Sequence, residues 1–527
     1  MLYHDIDKPA RADYNKIIES RRSMMQMLKP ASLFTDGTVL CRRKEIRIFG
    51  EADDGAAVTV SLYDRRGALL AEGCGQGKEG RFLTFLKPQE AQTGCRLVIE
   101  AGEERTEAED VAIGEVFLAG GQSNMEMALY SADEGPEIIR TYEDPLLRFF
   151  NVPRMAVKNP EQRKAVDGTR WQAIAPGKGA ENSAAGYFFA AALRKKMPDI
   201  PVGIIGCNWG GTSVTCWIGE EALQTEAEGQ RYLTEYAERT AGKSMETYLK
   251  EEKAFLDVFI PWCNQVDAYK AEHPGAPWKE IEEACGPSPW NPPTGPGSPY
   301  RPCGLAESML AELVPAALTG ILYYQGEEDA GRTDHYDTLM ILLIRHWREL
   351  FRVPELPFLF VQLPMWIDFN AEDSFRWPLT RLAQAAARDA MRNTGMVCLL
   401  DQGEFGNIHP TAKRPVGERL AELAGSMLYG GGEVSPRALE KYTEGNRLMI
   451  RLSAPVQTRD GGKPALLEIA EEAGGYVPAK AEIRDNILIL SAEGVSNPVR
   501  ARYAWTDYSD QVNLFGENGL PLEPFAF

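Results

Sequence analysis

Residues 115–126 read EVFLAGGQSNME, an apolar run that ends in two glycines and continues as Gln122-Ser123-Asn124. A short, nearly continuous apolar run predicts a strand with both faces covered, as in a parallel sheet. Such sheets bind ligands beyond the carboxyl ends of their strands, which is where Ser123 lies. Ser123 is therefore a candidate nucleophile, and it then needs a histidine to accept its proton. Position alone leaves a second interpretation open, in which Ser123 caps a helix that begins near Asn124.

The serine segment differs from the nucleophile elbow of the α/β-hydrolases. That motif has the pattern G-x-S-x-G, and here Met125 stands at the position of the second glycine. The sequence therefore argues against an α/β-hydrolase fold.

Two further segments place oxyanion-binding groups after short apolar runs. Gly210 and Gly211 follow the run 202–206 and can present backbone N–H groups to an oxyanion, or simply form a tight turn. Gln325 follows the run 319–324, and its side-chain amide can complete the same oxyanion hole. Because the runs predict neighbouring strands, we expect these groups to lie near one sheet edge.

The residues after Gln325 are acidic, and Glu327 is a candidate for substrate binding. The alternative is that Glu327, Glu328 and Asp329 form a solvated acidic loop. No histidine stands nearby at the spacing of a metal ligand, so we predict no metal site.

Histidine is scarce, with five residues: His4, His273, His335, His346 and His409. His409 lies between the apolar run 396–400 and the amphipathic stretch 413–428, at a predicted strand-to-helix junction. It is best placed to meet Ser123, and His335 is the fallback base.

The order of strand-like and helix-like stretches along the chain indicates a central α/β region between β-rich flanks. Short strands broken by turn residues predict a β-sandwich-like domain over residues 1–110 and a β-rich domain over residues 431–527. Between them, over residues 111–430, apolar runs alternate with helix-like stretches, which predicts a parallel sheet with helices on both faces. Residues 219–302 interrupt this alternation with a charged helical pattern and a proline-rich tail, and we interpret them as an insertion or lid.

Composition narrows the function. The 527 residues carry a net charge of −19, which disfavours nucleic acid and anionic membranes as partners. No apolar run is long enough to span a membrane. Nine scattered cysteines without a CxxC pair predict neither a disulfide scaffold nor a structural zinc site. The N-terminus, MLYHDIDKPARADYNK, has no apolar core, which predicts a cytoplasmic location.

Four stretches together resemble the sialate O-acetylesterase family, a carbohydrate-esterase branch of the SGNH hydrolases. They read GEVFLAGGQSNMEM, GIIGCNWGGTSVTCWI, YYQGEEDA and IHPTAKRPVGERLA. Weaker likeness extends over HWRELFRVPELPFLFVQLP, RYAWTDYSDQVNLFGENGLPLEPF and SLFTDGTVLCRRKEIRIFGEADDGAAVTV. The resemblance covers nearly the whole chain except the insertion at about 219–302.

The resemblance implies a flavodoxin-like, three-layer α/β/α catalytic domain and hydrolysis of acetyl esters on sugar hydroxyls, through an acetyl-enzyme and without a cofactor. Ser123 would be the nucleophile and His409 the general base. The backbone N–H of Ser123, one glycine of the pair Gly210-Gly211, and Gln325 would hold the oxyanion. The partner would be a small acetylated carbohydrate, such as O-acetyl sialic acid or an acetylated oligosaccharide.

One position departs from the family. SGNH relatives carry an aspartate two or three residues before the histidine, where this chain has Asn407 and Gly406. Glu404 or Asp401 is then the candidate acid, and the alternative is a Ser–His dyad oriented by a backbone carbonyl.

Aromatic residues near the motifs suggest how a sugar is held. Trp209 and Trp217 are candidates for stacking on a sugar ring, with the apolar core as the alternative for both. Two other functions stay open at this point. One is a carbohydrate-binding relative that has lost turnover, and the other is an SGNH esterase acting on non-carbohydrate esters.

Overall fold

The structure is a computed structural model that describes residues 27–369 and 371–527. Residues 1–26 of the predicted N-terminal domain, including His4, lie outside the described residues. Within the described part, no helix is long and apolar enough to cross a membrane.

A mostly parallel sheet forms the centre of the molecule. Its strands, in spatial order, are Gln172–Ile174, Asp144–Asn151, Val202–Asn208, Glu104–Gly121, Gly320–Tyr324, Phe358–Val361 and Thr394–Val397. All neighbours pair in parallel except Gln172–Ile174, which is antiparallel to Asp144–Asn151. The parallel sheet predicted from the apolar runs is therefore observed.

Alternate residues of each central strand enter two separate hydrophobic clusters. In the strand that leads to Ser123, Leu118 belongs to one cluster, and Phe117 and Ala119 belong to the other. Ile321 and Leu322 of the neighbouring strand divide in the same way. Both faces of the sheet are thus buried, which explains why these strands read as continuous apolar runs.

Helices cover both faces and complete a three-layer arrangement. The central region contains the helices Ser123–Glu126, Gly135–Thr141, Pro160–Gly168, Ala184–Lys196, Gly304–Ser308, Tyr336–Leu350, Arg376–Ala390 and Arg414–Leu428, with 3-10 turns at Leu129–Ser131, Val214–Trp217 and Leu310–Glu312. Local signals fix their ends. Ser183, for example, caps the helix Ala184–Lys196 by accepting a hydrogen bond from the Gly186 N–H at 3.0 Å. The predicted α/β fold class with β-rich flanks is confirmed.

One long strand, Glu104–Gly121, joins the N-terminal sheets to the central sheet. Its first half pairs with Gln92–Ala101, and its second half pairs with Val202–Asn208. The strand runs through the boundary predicted after residue 110, so the two regions share a continuous backbone ladder. The other N-terminal strands are Leu28–Pro30, Val39–Cys41, Ile46–Ala52, Ala57–Tyr63, Leu69–Gln76 and Arg81–Leu86.

The predicted insertion is helical. Its helices are Glu220–Leu223, Ala227–Arg239, Met245–Glu272 and Trp278–Cys285. Residues 286–303, which include the proline-rich tail, contain no helix or strand.

The C-terminal region is β-rich, as expected. Its strands are Ala438–Glu444, Arg447–Leu452, Val456–Thr458, Leu467–Ala470, Val477–Pro478, Lys480–Arg484, Ile487–Ser491, Arg500–Tyr503, Leu514–Gly516 and Phe525–Ala526. Their hydrophobic cluster includes Met365, Cys398 and Leu400, which follow the last two central strands. The C-terminal region therefore supports the loops that lead to His409.

Candidate active site

Three of the four motif segments meet where adjacent strands end. Gly121 lies opposite Asn208 on one side and opposite Tyr324 on the other. Gly121 has φ +133°, and a β-carbon there would lie 2.1 Å from the Tyr324 carbonyl oxygen, so only glycine fits. This close approach aligns Ser123 with the loops that follow both neighbouring strands.

The predicted nucleophile and base are in contact. Nε2 of His409 lies 2.8 Å from Oγ of Ser123, although 286 residues separate them in sequence. The helix Ser123–Glu126 has Gln122 at its N-cap and no side-chain capping bond. Ser123 is therefore not the helix cap, and its hydroxyl is paired with the imidazole.

Two side chains bind the backbone carbonyls on either side of His409. Asn124 donates from Nδ2 to the Ile408 carbonyl at 3.0 Å, and Lys413 donates from Nζ to the Pro410 carbonyl at 2.6 Å. Lys413 also donates to Oδ1 of Asn124 at 2.7 Å. The residue next to the nucleophile and the lysine four positions after the base thus form one clamp around His409.

Glu327 completes this buried network instead of facing a substrate. Its Oε1 accepts a hydrogen bond from Nδ2 of Asn124 at 2.6 Å, and its exposed fraction is 9%. Lys413 is 1% exposed, and burial lowers its pKa to about 8, against the opposing influence of Glu327. The prediction that Glu327 contacts substrate is wrong, because the loop after Tyr324 turns under Ser123. The neighbouring Asp329 is also buried, so the loop is not a solvated one.

The surroundings of His409 favour its neutral form. Loss of hydration lowers the pKa of the imidazole to about 4, and the positive charges of Lys413 and Lys270 act in the same direction. His409 is nevertheless exposed to solvent, which moderates the loss of hydration. A neutral imidazole is the form that can accept the Ser123 proton.

We therefore expect activity to persist on the acid side of pH 6.5. A general base works only when it is unprotonated, so the acid limb of kcat/KM should lie between pH 4 and the ordinary value of 6.5. The measurement is kcat/KM for a small acetyl ester as a function of pH. Lys270→Gln removes a positive charge outside the dyad and should move the limb upward. A limb above pH 6.5 in the wild type would contradict this account.

Asp401 does not orient His409. Burial works against its charged form, but hydrogen bonds from Arg419 at 2.7 and 2.8 Å outweigh burial and lower its pKa. Both oxygens of its carboxylate are thus held by Arg419. The prediction that Asp401 is the triad acid is wrong, because the ion pair with Arg419 joins the loop to the Arg414–Leu428 helix instead.

Glu404 is connected to His409 only through Asn407. Its Oε2 accepts a hydrogen bond from Nδ2 of Asn407 at 2.7 Å, and Oδ1 of Asn407 accepts the backbone N–H of His409 at 3.0 Å. Within the described part of the chain, neither Glu404 nor Asp401 is hydrogen-bonded to the imidazole. The predicted direct role of Glu404 is therefore replaced by indirect support of the His409 backbone, and a Ser–His dyad describes the site.

Asp401→Ala should separate the structural from the catalytic role. The change leaves the Arg419 guanidinium buried without its partner, so the free energy of unfolding should fall by about 3–5 kcal/mol. Turnover by the folded protein should stay close to wild type. Denaturant unfolding and acetate release are the two measurements, with the exposed Glu404→Ala as the control for stability. A stable Asp401→Ala protein that has lost turnover would restore Asp401 as the acid.

The structure distinguishes the two glycines of the oxyanion segment. A β-carbon on Gly210 would lie 3.2 Å from Cβ of Ser123, whereas one on Gly211 would lie 2.3 Å from Cζ2 of Trp290. Gly211 also has φ +69°, which is the conformation that the turn requires. Gly210 is therefore the glycine beside the nucleophile.

Glu126, which the sequence analysis missed, binds the N–H of Gly210. Its Oε2 accepts that hydrogen bond at 2.7 Å, and its other oxygen pairs with Arg154. An oxyanion that uses the Gly210 N–H must compete with this carboxylate. The position of Glu126, one turn after the serine on the same short helix, was the only available signal.

Gln325 does not offer a free amide. Its Nε2 donates to Oδ2 of Asp329 at 2.6 Å and to the Thr212 carbonyl at 3.2 Å, while its Oε1 accepts from the Tyr336 hydroxyl at 2.8 Å. The amide has only two N–H groups, and both are used. The predicted oxyanion role of Gln325 is therefore corrected to that of a buried residue that fixes the loop carrying Gly210.

The two predicted stacking residues differ in exposure. Trp217 is fully buried and donates from Nε1 to Oγ1 of Thr212 at 3.0 Å, so its predicted contact with substrate is wrong. Trp209 is half-buried, and the guanidinium carbon of Arg154 lies 5.8 Å from its ring centroid. Trp209 stays a candidate for substrate binding.

Two further histidines of the described residues lie outside this arrangement. His346 accepts the Gly219 N–H at 3.0 Å, and the fallback base His335 begins the helix Tyr336–Leu350 at its exposed end. In the described residues, no group of three or more His, Cys, Asp or Glu side chains could hold a metal ion.

Comparisons with known proteins show what the chain is similar to. A family model described as carbohydrate esterase, sialic acid-specific acetylesterase matches residues 290–425. Sialate O-acetylesterases of Rattus norvegicus and Homo sapiens are each 24% identical, over 91% of this chain and 90% and 88% of their own lengths. The crystal structure of a carbohydrate acetylesterase from Xanthomonas citri is similar with a TM-score of 0.73 and 26% identity, covering 95% of this chain and 99% of that one. The resemblance that the motifs indicated is confirmed.

Proposed function

We propose that this relative of the sialate O-acetylesterases is a serine esterase that removes O-acetyl groups from sugars. The observation that carries the proposal is the 2.8 Å contact between Oγ of Ser123 and Nε2 of His409 at the sheet edge. The named relatives, which resemble the chain over nearly its whole length, support the substrate class.

The geometry supports acyl transfer in two steps. His409 accepts the Ser123 proton as Oγ attacks the acetyl carbonyl, and the Ser123 N–H stabilises the oxyanion that forms. The Gly210 N–H joins it only when the oxyanion displaces the Glu126 carboxylate that accepts this N–H in the structure. His409 then gives the proton to the sugar alcohol, which leaves, and an acetyl-enzyme remains. Water, deprotonated by His409, attacks this ester and releases acetate with regeneration of the Ser123 hydroxyl.

The lack of a hydrogen bond from Glu404 or Asp401 to the imidazole does not remove the base. In a triad, the acid stabilises the imidazolium and fixes the ring orientation. Here the clamp formed by Asn124 and Lys413 holds the backbone around His409, and loss of hydration, aided by nearby positive charges, lowers the pKa of the ring and favours its neutral form. The dyad therefore has an oriented base without the usual stabilisation of its protonated form.

Acetate release from a panel of esters tests the proposal. The panel contains O-acetyl sialic acid, acetylated xylo-oligosaccharides, acetylated manno-oligosaccharides and 4-nitrophenyl acetate as a non-carbohydrate ester. We expect release from at least one sugar ester, with a higher kcat/KM than for the non-carbohydrate ester. A preference for the non-carbohydrate ester would favour an esterase of another class.

A fluorophosphonate probe separates an esterase from a binding protein that has lost turnover. Intact-mass measurement should show one covalent adduct in the wild type and none in Ser123→Ala. A wild-type protein that neither reacts with the probe nor releases acetate would contradict the proposal.

A further inference from the structure

Aromatic side chains follow one face of the helix Met245–Glu272. Phe255, Phe259 and Trp262 occur at intervals of four and three residues, which places them on the same side of the helix. Phe255 and Phe259 stack with ring centroids 5.1 Å apart, and Phe259 and Trp262 stack at 6.0 Å. The helix thus presents a continuous set of rings.

Two tryptophans from the following segment extend this set at its two ends. Trp278 meets Trp262 at 6.3 Å, and Trp290 meets Phe259 at 5.4 Å and Phe255 at 6.1 Å. We refer to these five side chains together as the aromatic row. Phe255, Phe259 and Trp290 form its proximal part, and Trp262 and Trp278 form its distal part.

The proximal part adjoins the catalytic dyad. The ring of Trp290 packs against Gly211, and the neighbouring Gly210 lies against Ser123. The charge of Lys270 acts on His409, and its Nζ lies 5.2 Å from the ring centroid of Trp278. The aromatic row is therefore continuous with the active site.

The aromatic row differs from the packed core in its exposure. Trp217 and Trp347, which belong to the core, are fully buried, whereas Trp290 is 40% exposed and the other members of the row are half-buried. The three rings around Trp290 meet it at angles of 61° to 82°, so none stacks in parallel on its face. The row therefore keeps apolar ring surface in contact with solvent beside the nucleophile.

We infer that the aromatic row binds the sugar chain of the substrate, and that the substrate is an O-acetylated oligosaccharide rather than a monosaccharide. The inference rests on the proposed function and narrows its substrate class. The C–H faces of sugar rings are flat and apolar, and a flat aromatic ring buries such a face while the hydroxyl groups stay in water. Trp290 and Trp278, which meet their neighbours in the row edge-on, offer ring faces for this contact, whereas Phe255, Phe259 and Trp262 stack on one another and support them. Successive ring contacts of 5.4, 6.0 and 6.3 Å join Trp290 to Trp278 through Phe259 and Trp262. A row of this extent is longer than one sugar ring, so a longer chain can contact both of its ends.

Chain length is the variable that tests this inference. Acetylated xylo-oligosaccharides of increasing length should show a falling KM in the wild type. Trp290→Ala should raise KM for all of them by about tenfold, whereas Trp278→Ala should raise it only for the longer ones.

Ile260→Ala is the matched control on the same helix. Ile260 is apolar and 50% exposed, but it lies on another face of the helix Met245–Glu272. Its replacement should leave KM unchanged for every chain length. Circular dichroism of each variant checks that the insertion stays helical, and Trp278→Ala keeps the test valid if Trp290→Ala disturbs Gly211.

Binding to the inactive protein separates this inference from the proposed function. Calorimetry of Ser123→Ala with the same oligosaccharides measures affinity without turnover. Affinity that rises with chain length and is weakened by Trp278→Ala supports the aromatic row, even if no acetate is released by the wild type. A KM and an affinity independent of chain length, and insensitive to both tryptophan replacements, would overturn the inference while leaving the esterase intact.

Discussion

Replacing Ser123 with alanine is expected to lower kcat for acetate release by about 10⁵–10⁶-fold. The change removes the atom that forms the acetyl-enzyme, and the remaining N–H groups can stabilise only a direct attack by water. His409→Ala should have nearly the same effect, since Oγ without its base is a weak nucleophile. The measurement is acetate release at saturating substrate by each single variant and by the double variant.

The double variant tests whether Ser123 and His409 act as one unit. Two groups that act as one unit are not additive, so Ser123→Ala with His409→Ala should lose no more activity than either change alone. His335→Asn is the matched control for loss of a histidine, and it should keep wild-type turnover because His335 lies outside the site. Additive losses would show that His409 acts independently of Ser123, and the dyad mechanism would then be wrong.

The sequence allowed the sheet and the dyad to be predicted because their signals are local. The strands around Ser123 are buried on both faces, so each is an apolar run in the sequence, and the candidate site residues follow directly after these runs. His409 could be selected because the other histidines lie in segments without such a junction. Parallel pairing then brings the ends of distant segments together, which needs no further information from the sequence.

The partners of Gln325, Glu327 and Asp401 could not be predicted in the same way. Each of these polar side chains is satisfied by a residue from another element, such as Tyr336, Asn124 or Arg419. An acidic loop that closes over buried partners has the same composition as one that faces water. Only the three-dimensional packing decides which carboxylates are used inside the protein.

The exposure of aromatic side chains could not be predicted from the sequence either. Trp209 and Trp217 stand eight residues apart in one motif, yet the first is half-buried and the second is fully buried. Trp217 packs in the hydrophobic core, where the ring centroid of Trp347 lies 6.5 Å from its own. The more exposed Trp290 lies in the insertion, where no predicted strand or motif stands.

Replacing Lys413 with methionine is the second large effect that we expect. Asn124 lies between Nζ of Lys413 and Oε1 of Glu327, and all three side chains are buried. Loss of the cation leaves the Glu327 carboxylate without a compensating charge, so the free energy of unfolding should fall by about 3–5 kcal/mol. Denaturant unfolding measures this loss, and adding Glu327→Gln to Lys413→Met should recover part of it, because the buried charge is then removed.

A catalytic readout distinguishes a clamp from a purely structural role. Without Lys413, the Pro410 carbonyl loses its donor and the His409 backbone is held on one side only, so kcat of the folded protein should fall by about 10²-fold with a smaller change in KM. The acid limb of kcat/KM should also move upward, because a positive charge near the imidazole is removed. Lys270→Gln should move the limb in the same direction without loss of stability or kcat. If Lys413→Met lowers stability but changes neither kcat nor the acid limb, Lys413 stabilises the fold without positioning His409.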